Sequence, residues 1–231
     1  LELRDLTVQD FGIQGSEFLL RFEINEGEEM NSISQTLKQL FAATGGSSGV
    51  EILSVESVGP KVGADLRRQG FMAILFATIF MGLYITARFE FSFGLGAVIA
   101  LIHDVLITTG ALMLTQYTFD LTTLAGLLTV IGFSVHDTII VSDRVRENLK
   151  RTPKAKLGDV INRAINDTLS RTLLTTGTAL FVLFALFFLG GKGLEPFAFT
   201  LVIGFITGTY SSIYIAAPVV LFWSDRSKLA N

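Results

Sequence analysis

"GFSVHDTIIVSDRVREN", residues 132–148, begins as an apolar helix and ends as a charged one. His136 and Asp137 fall in the apolar half, one to two turns before Asp143, Arg144 and Arg146. An ionisable side chain at the centre of a bilayer costs at least ~2.5–3.5 kcal/mol, so it is rare there unless it has work to do. The rest of the chain has to say what that work is.

Half of the 231 residues are hydrophobic, and the mean hydropathy is +0.55. The net charge of −3 hides a strong asymmetry. Residues 1–70 carry charge of the ordinary soluble kind, whereas 172–191 and 197–224 contain no Asp, Glu, Lys or Arg. Uncharged apolar runs of about 20 residues match the thickness of a hydrocarbon core. The chain therefore reads as an α-helical polytopic membrane protein with a small soluble domain, 1–60, in front of a bundle, 61–231. Five spans are predicted, at about 70–87, 92–115, 119–142, 171–190 and 196–223.

In the front domain, residues 2–10 and 16–24 alternate like strands, with Gly12 and Gly15 between them. Residues 29–43 place Met30, Ile33, Leu37, Leu40 and Phe41 at helical spacing. "TGGSSG" then breaks the chain, and "VEILSVESV" (50–58) reads as a third strand. The order β-β-α-β is an α+β, ferredoxin-like unit without its first strand and helix. Half a fold in roughly 60 residues gives a marginal core. The expectation is that the natural chain begins earlier or that the domain completes itself with a partner. Gly59-Pro60 ends the strand and leads into the bundle.

Orientation follows from Lys and Arg in the short loops. Segment 144–171 holds Arg144, Arg146, Lys150, Arg151, Lys154, Lys156, Arg163 and Arg171, and the tail holds Arg226 and Lys228. The alternate loops hold Lys192 alone. Basic loops stay inside, which predicts an extracytoplasmic N-terminal domain and a cytoplasmic C-terminus. Segment 144–170 is then cytoplasmic. Within it Leu157, Val160, Ile161, Ala164, Ile165 and Leu169 share one face, as in an amphipathic helix on the membrane surface or beneath the bundle, the membrane surface being the preferred reading.

Four places could carry chemistry. In the second span Gly96, Ala100, Asp104, Thr108 and Ala111 recur at spacings of three or four, a stripe that turns Asp104 towards neighbouring helices. In the third, Ser134, Asp137, Thr138 and Val141 share a face. The fifth carries Gly204 and Gly208 four apart, then Ser211 and Ser212, a second packing stripe. The fourth opens on Arg171 and continues with Thr172, Thr175, Thr176 and Thr178. Paired intramembrane acids mark ion pathways, the alternative being that Asp104 and Asp137 only bond neighbouring helices together. His103 and His136 read best as neutral donors between helices. Arg171 either snorkels to the interface or enters a buried ion pair. The pair expected is with Asp137, since the third and fourth spans are neighbours in sequence and both residues lie in their cytoplasmic halves.

Several activities are excluded. With no cysteine there is neither a disulfide nor a thiolate metal site. G-x-x-x-x-G-K-[ST] and H-E-x-x-H are both absent, and the basic residues show no aromatic interleaving suited to nucleic acid. Transport or coupling driven by ions survives.

Five blocks carry a resemblance: "VESVGPKVGADLRRQG" (55–70), "ALIHDVLITTG" (100–110), the opening stretch, "INRAINDTLSRTLLTTGT" (161–178) and "GTYSSIYIAAPVVL" (208–221). Together, and in this order, they resemble the SecF family of bacterial protein translocase subunits, which with SecD belongs to the resistance-nodulation-division type. The resemblance implies six spans, of which the five here would be the second to sixth, and an extracytoplasmic ferredoxin-like domain after the first. It implies SecD, the SecYEG channel, the translocating polypeptide and a YajC-type small membrane subunit as partners in the inner membrane. It further implies that the proton gradient, and no cofactor, metal or catalytic site, drives a late step of export. The family's proton-coupling acid falls on Asp137, its helix-opening arginine on Arg171, and its "HD" block on His103 and Asp104. His136 stands where relatives commonly have Asn, so no role is carried to it. Other readings are a proton-driven exporter of small molecules or lipids, for which residues 1–60 are too small a porter domain, and a purely structural subunit.

Overall fold

The computed structural model describes residues 4–10, 18–23, 35–40, 60–117, 119–191 and 193–229. The chain divides into two compact units, Leu1–Asp65 and Leu66–Asn231. In the first, β1 (Arg4–Asp10) pairs with β2 (Phe18–Glu23) as an antiparallel hairpin. Thr7 stands opposite Arg21 and Asp10 opposite Phe18, with an irregularity between Arg4 and Thr7. α1 (35–40) follows. The predicted third strand at 50–58 lies outside the described residues, and so does the ferredoxin-like completion of the unit.

The second unit is helical and takes in α2 (Pro60–Arg88) from Leu66 onward, α3 (Phe91–Leu114), α4 (Leu121–Arg151), α5 (Leu157–Leu189), α6 (Glu195–Ser211), a π-helical turn (Ser212–Ala216) and α7 (Ala217–Leu229). Among the described residues five stretches are long and apolar enough to cross a membrane: Arg68–Arg88, Phe91–Leu114, Leu121–Arg151, Leu157–Leu189 and Glu195–Ser224. Phe80, Leu83, Leu106, Leu174, Phe181, Val182 and Phe188 point outward and are exposed, the surface that hydrocarbon would cover.

Local chemistry sets the helix ends. Asp120 caps α4: its carboxylate accepts from Thr123 N at 2.8 Å while Thr123 Oγ1 accepts from Asp120 N at 2.9 Å. α5 stops at Gly190-Gly191, where Gly191 takes the left-handed φ of +77° that closes a helix end. Pro218 lacks an N–H and its ring would strike the carbonyl of Tyr214, and the helix widens into its π turn immediately before it.

The segment at 144–170 is not a separate surface helix. α4 continues to Arg151, only 152–156 turn, and α5 runs from Leu157 without a break. No Gly or Pro stands near Ser170-Arg171 to interrupt the helical hydrogen bonds. The apolar face, Val160, Ile161 and Ala164, is buried in one core with Val141 and Val145 of α4 and Ala217 and Val220 of α7. Protein, not the membrane surface, covers that face. A second core joins Val130 of α4, Leu183 of α5 and Leu201, Val202 and Phe205 of α6.

Candidate functional site: two buried carboxylates

Glycine sets how closely α6 approaches its neighbours. A Cβ at Gly204 would collide with the side chain of Val130, and one at Gly208 would lie 3.1 Å from Ser134 Cβ. Across the bundle, a Cβ at Gly96 would lie 2.8 Å from the carbonyl oxygen of Ala216 in the π turn. α3, α4 and α6 thus meet near both aspartates.

Along the α3 stripe Gly96, Ala100, Asp104 and Thr108 are buried. Asp104 is fully buried and well held. Its Oδ2 accepts from Ser134 Oγ of α4 at 2.6 Å and from Ser211 Oγ of α6 at 2.7 Å. Its Oδ1 lies 3.1 Å from His103 Nδ1, which donates when the proton is assigned to that nitrogen. Hydroxyls from two other helices converge on one carboxylate, and bonds to an ionised acceptor are the strong ones. Asp104 fastens three helices.

Asp137 is equally buried but poorly held. Oδ2 accepts one long bond, from Thr209 Oγ1 of α6 at 3.4 Å. Oδ1 has no hydrogen-bond partner among the described residues. The nearest cationic candidate, His136 Nδ1, is 3.8 Å away, beyond hydrogen-bond reach, on a side chain 54% exposed. A buried acceptor left without a donor costs about 1–3 kcal/mol, more if charged. Such a group is kept where it does something other than stabilise the fold.

Thr209 is also bonded to Thr176 of α5, oxygen to oxygen at 2.9 Å. Asp137, Thr209 and Thr176 therefore link α4, α6 and α5. The sequence placed Thr176 only in a polar half-helix and did not mark Thr209. The signal was available in the four-residue spacing of Thr172 and Thr176 and in Thr209 directly after Gly208.

The structure does not bring Arg171 to Asp137. Arg171 is exposed, and among the described residues no ion pair includes it. Its neighbour Thr172 is buried, and one residue turns a helix by about 100°, which carries Arg171 away from the α4–α6 contact. Arg171 instead lines a cleft at the basic end of the bundle with Tyr84, Arg88, Ile140, Asp143 and Thr168. Beside it, Arg144 bonds Glu147 at 2.6 Å and Asp167 at 2.8 Å, and Arg151 bonds Glu147 at 2.6 Å. Asp167 thereby joins α4 to α5 through Arg144, the role the buried ion pair would have given Arg171. Among the described residues no cluster of His, Asp and Glu is suited to a metal ion.

The family model described as "Protein export membrane protein SecD/SecF, C-terminal" matches residues 36–226. The chain is 46% identical to the protein translocase subunit SecF of Desulfurispirillum indicum over 230 residues, 97% of this chain and 72% of that protein. It is 43% identical to the SecF of Calditerrivibrio nitroreducens over 230 residues, 99% of this chain and 75% of that one. The crystal structure of SecDF, a translocon-associated membrane protein from Thermus thermophilus, is similar with a TM-score of 0.83 at 37% identity. That likeness covers 96% of this chain and 29% of the SecDF chain. A super-membrane-facing form of SecDF gives a TM-score of 0.73 at 35% identity, covering 92% and 28%.

Proposed function

This chain belongs to the SecD/SecF family of protein export membrane proteins and has the role of a SecF-type translocase subunit; we propose that it performs that role by letting Asp137 take up and release protons. The observation that carries this reading is the contrast in hydrogen bonding. Asp104 has two serine hydroxyls donating to one oxygen and the His103 imidazole 3.1 Å from the other, whereas Asp137, equally buried, has one oxygen unbonded and the other on a 3.4 Å contact. A carboxyl held this loosely can change protonation without first breaking a network, and the gain or loss of a charge in a buried site shifts the helices around it. One elementary charge crossing 100 mV supplies ~2.3 kcal/mol, enough to drive such a shift.

On this reading the chain works in the bacterial inner membrane with its N-terminal domain outside and its basic end in the cytoplasm. SecD is its partner. The SecYEG channel, the translocating polypeptide and a YajC-type subunit complete the assembly, and protons are the coupling ion without any cofactor. Arg171 lies at the cytoplasmic mouth of the cleft, where a positive charge tunes which ions enter. Asp104 and His103 hold the helices through which the motion passes, and His136 has no role assigned. No catalytic site is needed.

The test is export of a slow-folding polypeptide by reconstituted vesicles containing the channel, SecD and this chain, with a pH gradient imposed. Asp137→Asn should abolish the stimulation by the gradient while leaving assembly with SecD intact. Stimulation equal to that of the unmutated chain would remove Asp137 from the mechanism.

A further inference from the structure

α5 carries Thr168, Thr172 and Thr176 at intervals of four residues, so their hydroxyls form one file with a rise of about 6 Å per step. All three are buried, at 8%, 3% and 5% exposure. A helical threonine ordinarily bonds a carbonyl of the preceding turn. Thr175 and Thr178 do so on the outward side, and Thr168 does so with Ala164 O at 2.9 Å. The inner two differ. Thr176 uses its hydroxyl on Thr209, and Thr172 makes no hydrogen bond among the described residues; the residue is buried as a whole, while its hydroxyl is not among the fully enclosed polar atoms and stays within reach of a water. Both ends of the file meet something relevant. Thr168 lines the cleft that holds Arg171 and Asp143, and Thr176 reaches Asp137 through Thr209.

We propose that Thr168, Thr172, Thr176 and Thr209 form the route by which protons pass between the cleft at the basic end and Asp137. Hydroxyls about 6 Å apart are too distant to bond directly, and each such gap takes one water. The unbonded Thr172 hydroxyl is the polar anchor for such a water, since water enters a buried space only where polar partners hold it. Transfer is balanced at each step. A hydronium in the cleft gives one proton to the file and becomes water. Each oxygen along the file accepts a proton on one side and releases one on the other. The last proton leaves Thr209 Oγ1 for Asp137 Oδ2, which becomes a neutral carboxylic acid. Rotation of the hydroxyls resets the file. Release towards the cleft is the same sequence reversed.

This route rests on the reading of Asp137 as the proton acceptor, and the test separates the two. The full chain with its SecD partner is placed in vesicles containing a pH-sensitive dye, and proton entry is followed after an imposed pH step. Thr176→Val and Thr209→Val keep shape and remove the hydroxyl. Each should slow proton entry about tenfold, the factor carried by loss of one hydrogen bond at the transferring step. Thr176→Ser restores a hydroxyl and should stay within about twofold, since the bond is regained. A merely packing role would give the opposite pattern, with Val tolerated and Ser slow. Thr172→Val removes a hydroxyl that bonds nothing in the fold, so it gives the same reading should Thr176→Val fail to assemble. Wild-type entry in all the Val variants, with Asp137→Asn blocked, would overturn the route and leave the acceptor standing. Wild-type entry in Asp137→Asn would remove the acceptor and the route together.

Discussion

Asp104 and Asp137 lie on neighbouring helices, α3 and α4, and both are completely buried, yet they are held differently. Asp104 accepts from Ser134 and Ser211 within 2.7 Å and has His103 beside its other oxygen. Asp137 has one long contact to Thr209 and one bare oxygen. Burial alone therefore does not separate a fastener from a switch. What separates them is the number of donors that would be orphaned if the carboxylate changed. Removing Asp104 strands the Ser134 hydroxyl, leaves Ser211 only its 3.1 Å contact to Gly208 O, and takes the carboxylate from beside an imidazole. Changing Asp137 strands a threonine that already has Thr176 as an alternative.

The largest effect expected from this difference is on stability. Asp104→Ala should cost about 3–5 kcal/mol, as when one partner of a buried charged network is removed, and should lower both the yield and the melting temperature in detergent. Asp137→Asn should change the melting temperature little, by the equivalent of under ~1 kcal/mol, because no strong bond is lost. Equal destabilisation by the two substitutions would erase the distinction.

A smaller effect is expected from the glycines that bring α6 against α4. A Cβ at Gly204 overlaps Val130, whereas at Gly208 it only tightens against Ser134, one of the donors to Asp104. Gly204→Ala should cost about 1–3 kcal/mol by overpacking. Gly208→Ala should cost less in melting temperature but should displace Ser134 and loosen Asp104 in preference to Asp137. Chemical-shift perturbation at the two aspartates reads this directly, and a perturbation confined to Asp137 would contradict the assignment.

The smallest effect concerns the far end of the bundle. Tyr117 Oη donates to Glu195 Oε1 at 2.5 Å, tying the α3–α4 loop to the start of α6. Partial burial and, after it, the Glu195 carboxylate push the Tyr117 hydroxyl up from 10.0 to about 12. The folded value lies above the unfolded one, so the tie contributes fully below pH about 10 and is lost as pH rises through about 12. Tyr117→Phe should cost roughly 1 kcal/mol or less, with the difference from the unmutated chain vanishing at high pH. It should not alter either aspartate, because the tie is remote from both.

How legible this was depended on the physics of each feature. The five membrane helices could be read because uncharged apolar runs report directly on the solvent around a helix. The extent of α4 and α5 could not, because charge marks where the membrane ends and only a chain-breaking residue marks where a helix ends. Thr152-Pro153 supplies that break and Ser170-Arg171 does not. The stripe through Gly96, Ala100, Asp104 and Thr108 was readable as a buried face from its spacing. Which hydroxyls would meet Asp104 was not, since Ser211 is 107 residues away in sequence and its approach depends on Gly204 and Gly208. The pairing of Arg171 with Asp137 was read from helices adjacent in sequence and residues at similar depth. Depth and adjacency leave rotation about the helix axis unset, and rotation gave the contact to Thr176 and Thr209 instead.

The central claim is that Asp137, and not Asp104, changes protonation as the protein works. Infrared difference spectroscopy of the reconstituted complex, cycled between acidic and alkaline pH, detects the carbonyl stretch of any carboxylic acid that gains or loses a proton. A protonated-carboxyl band should be present in the unmutated chain, persist in Asp104→Asn and disappear in Asp137→Asn. A band that survives Asp137→Asn and is lost in Asp104→Asn would contradict the account.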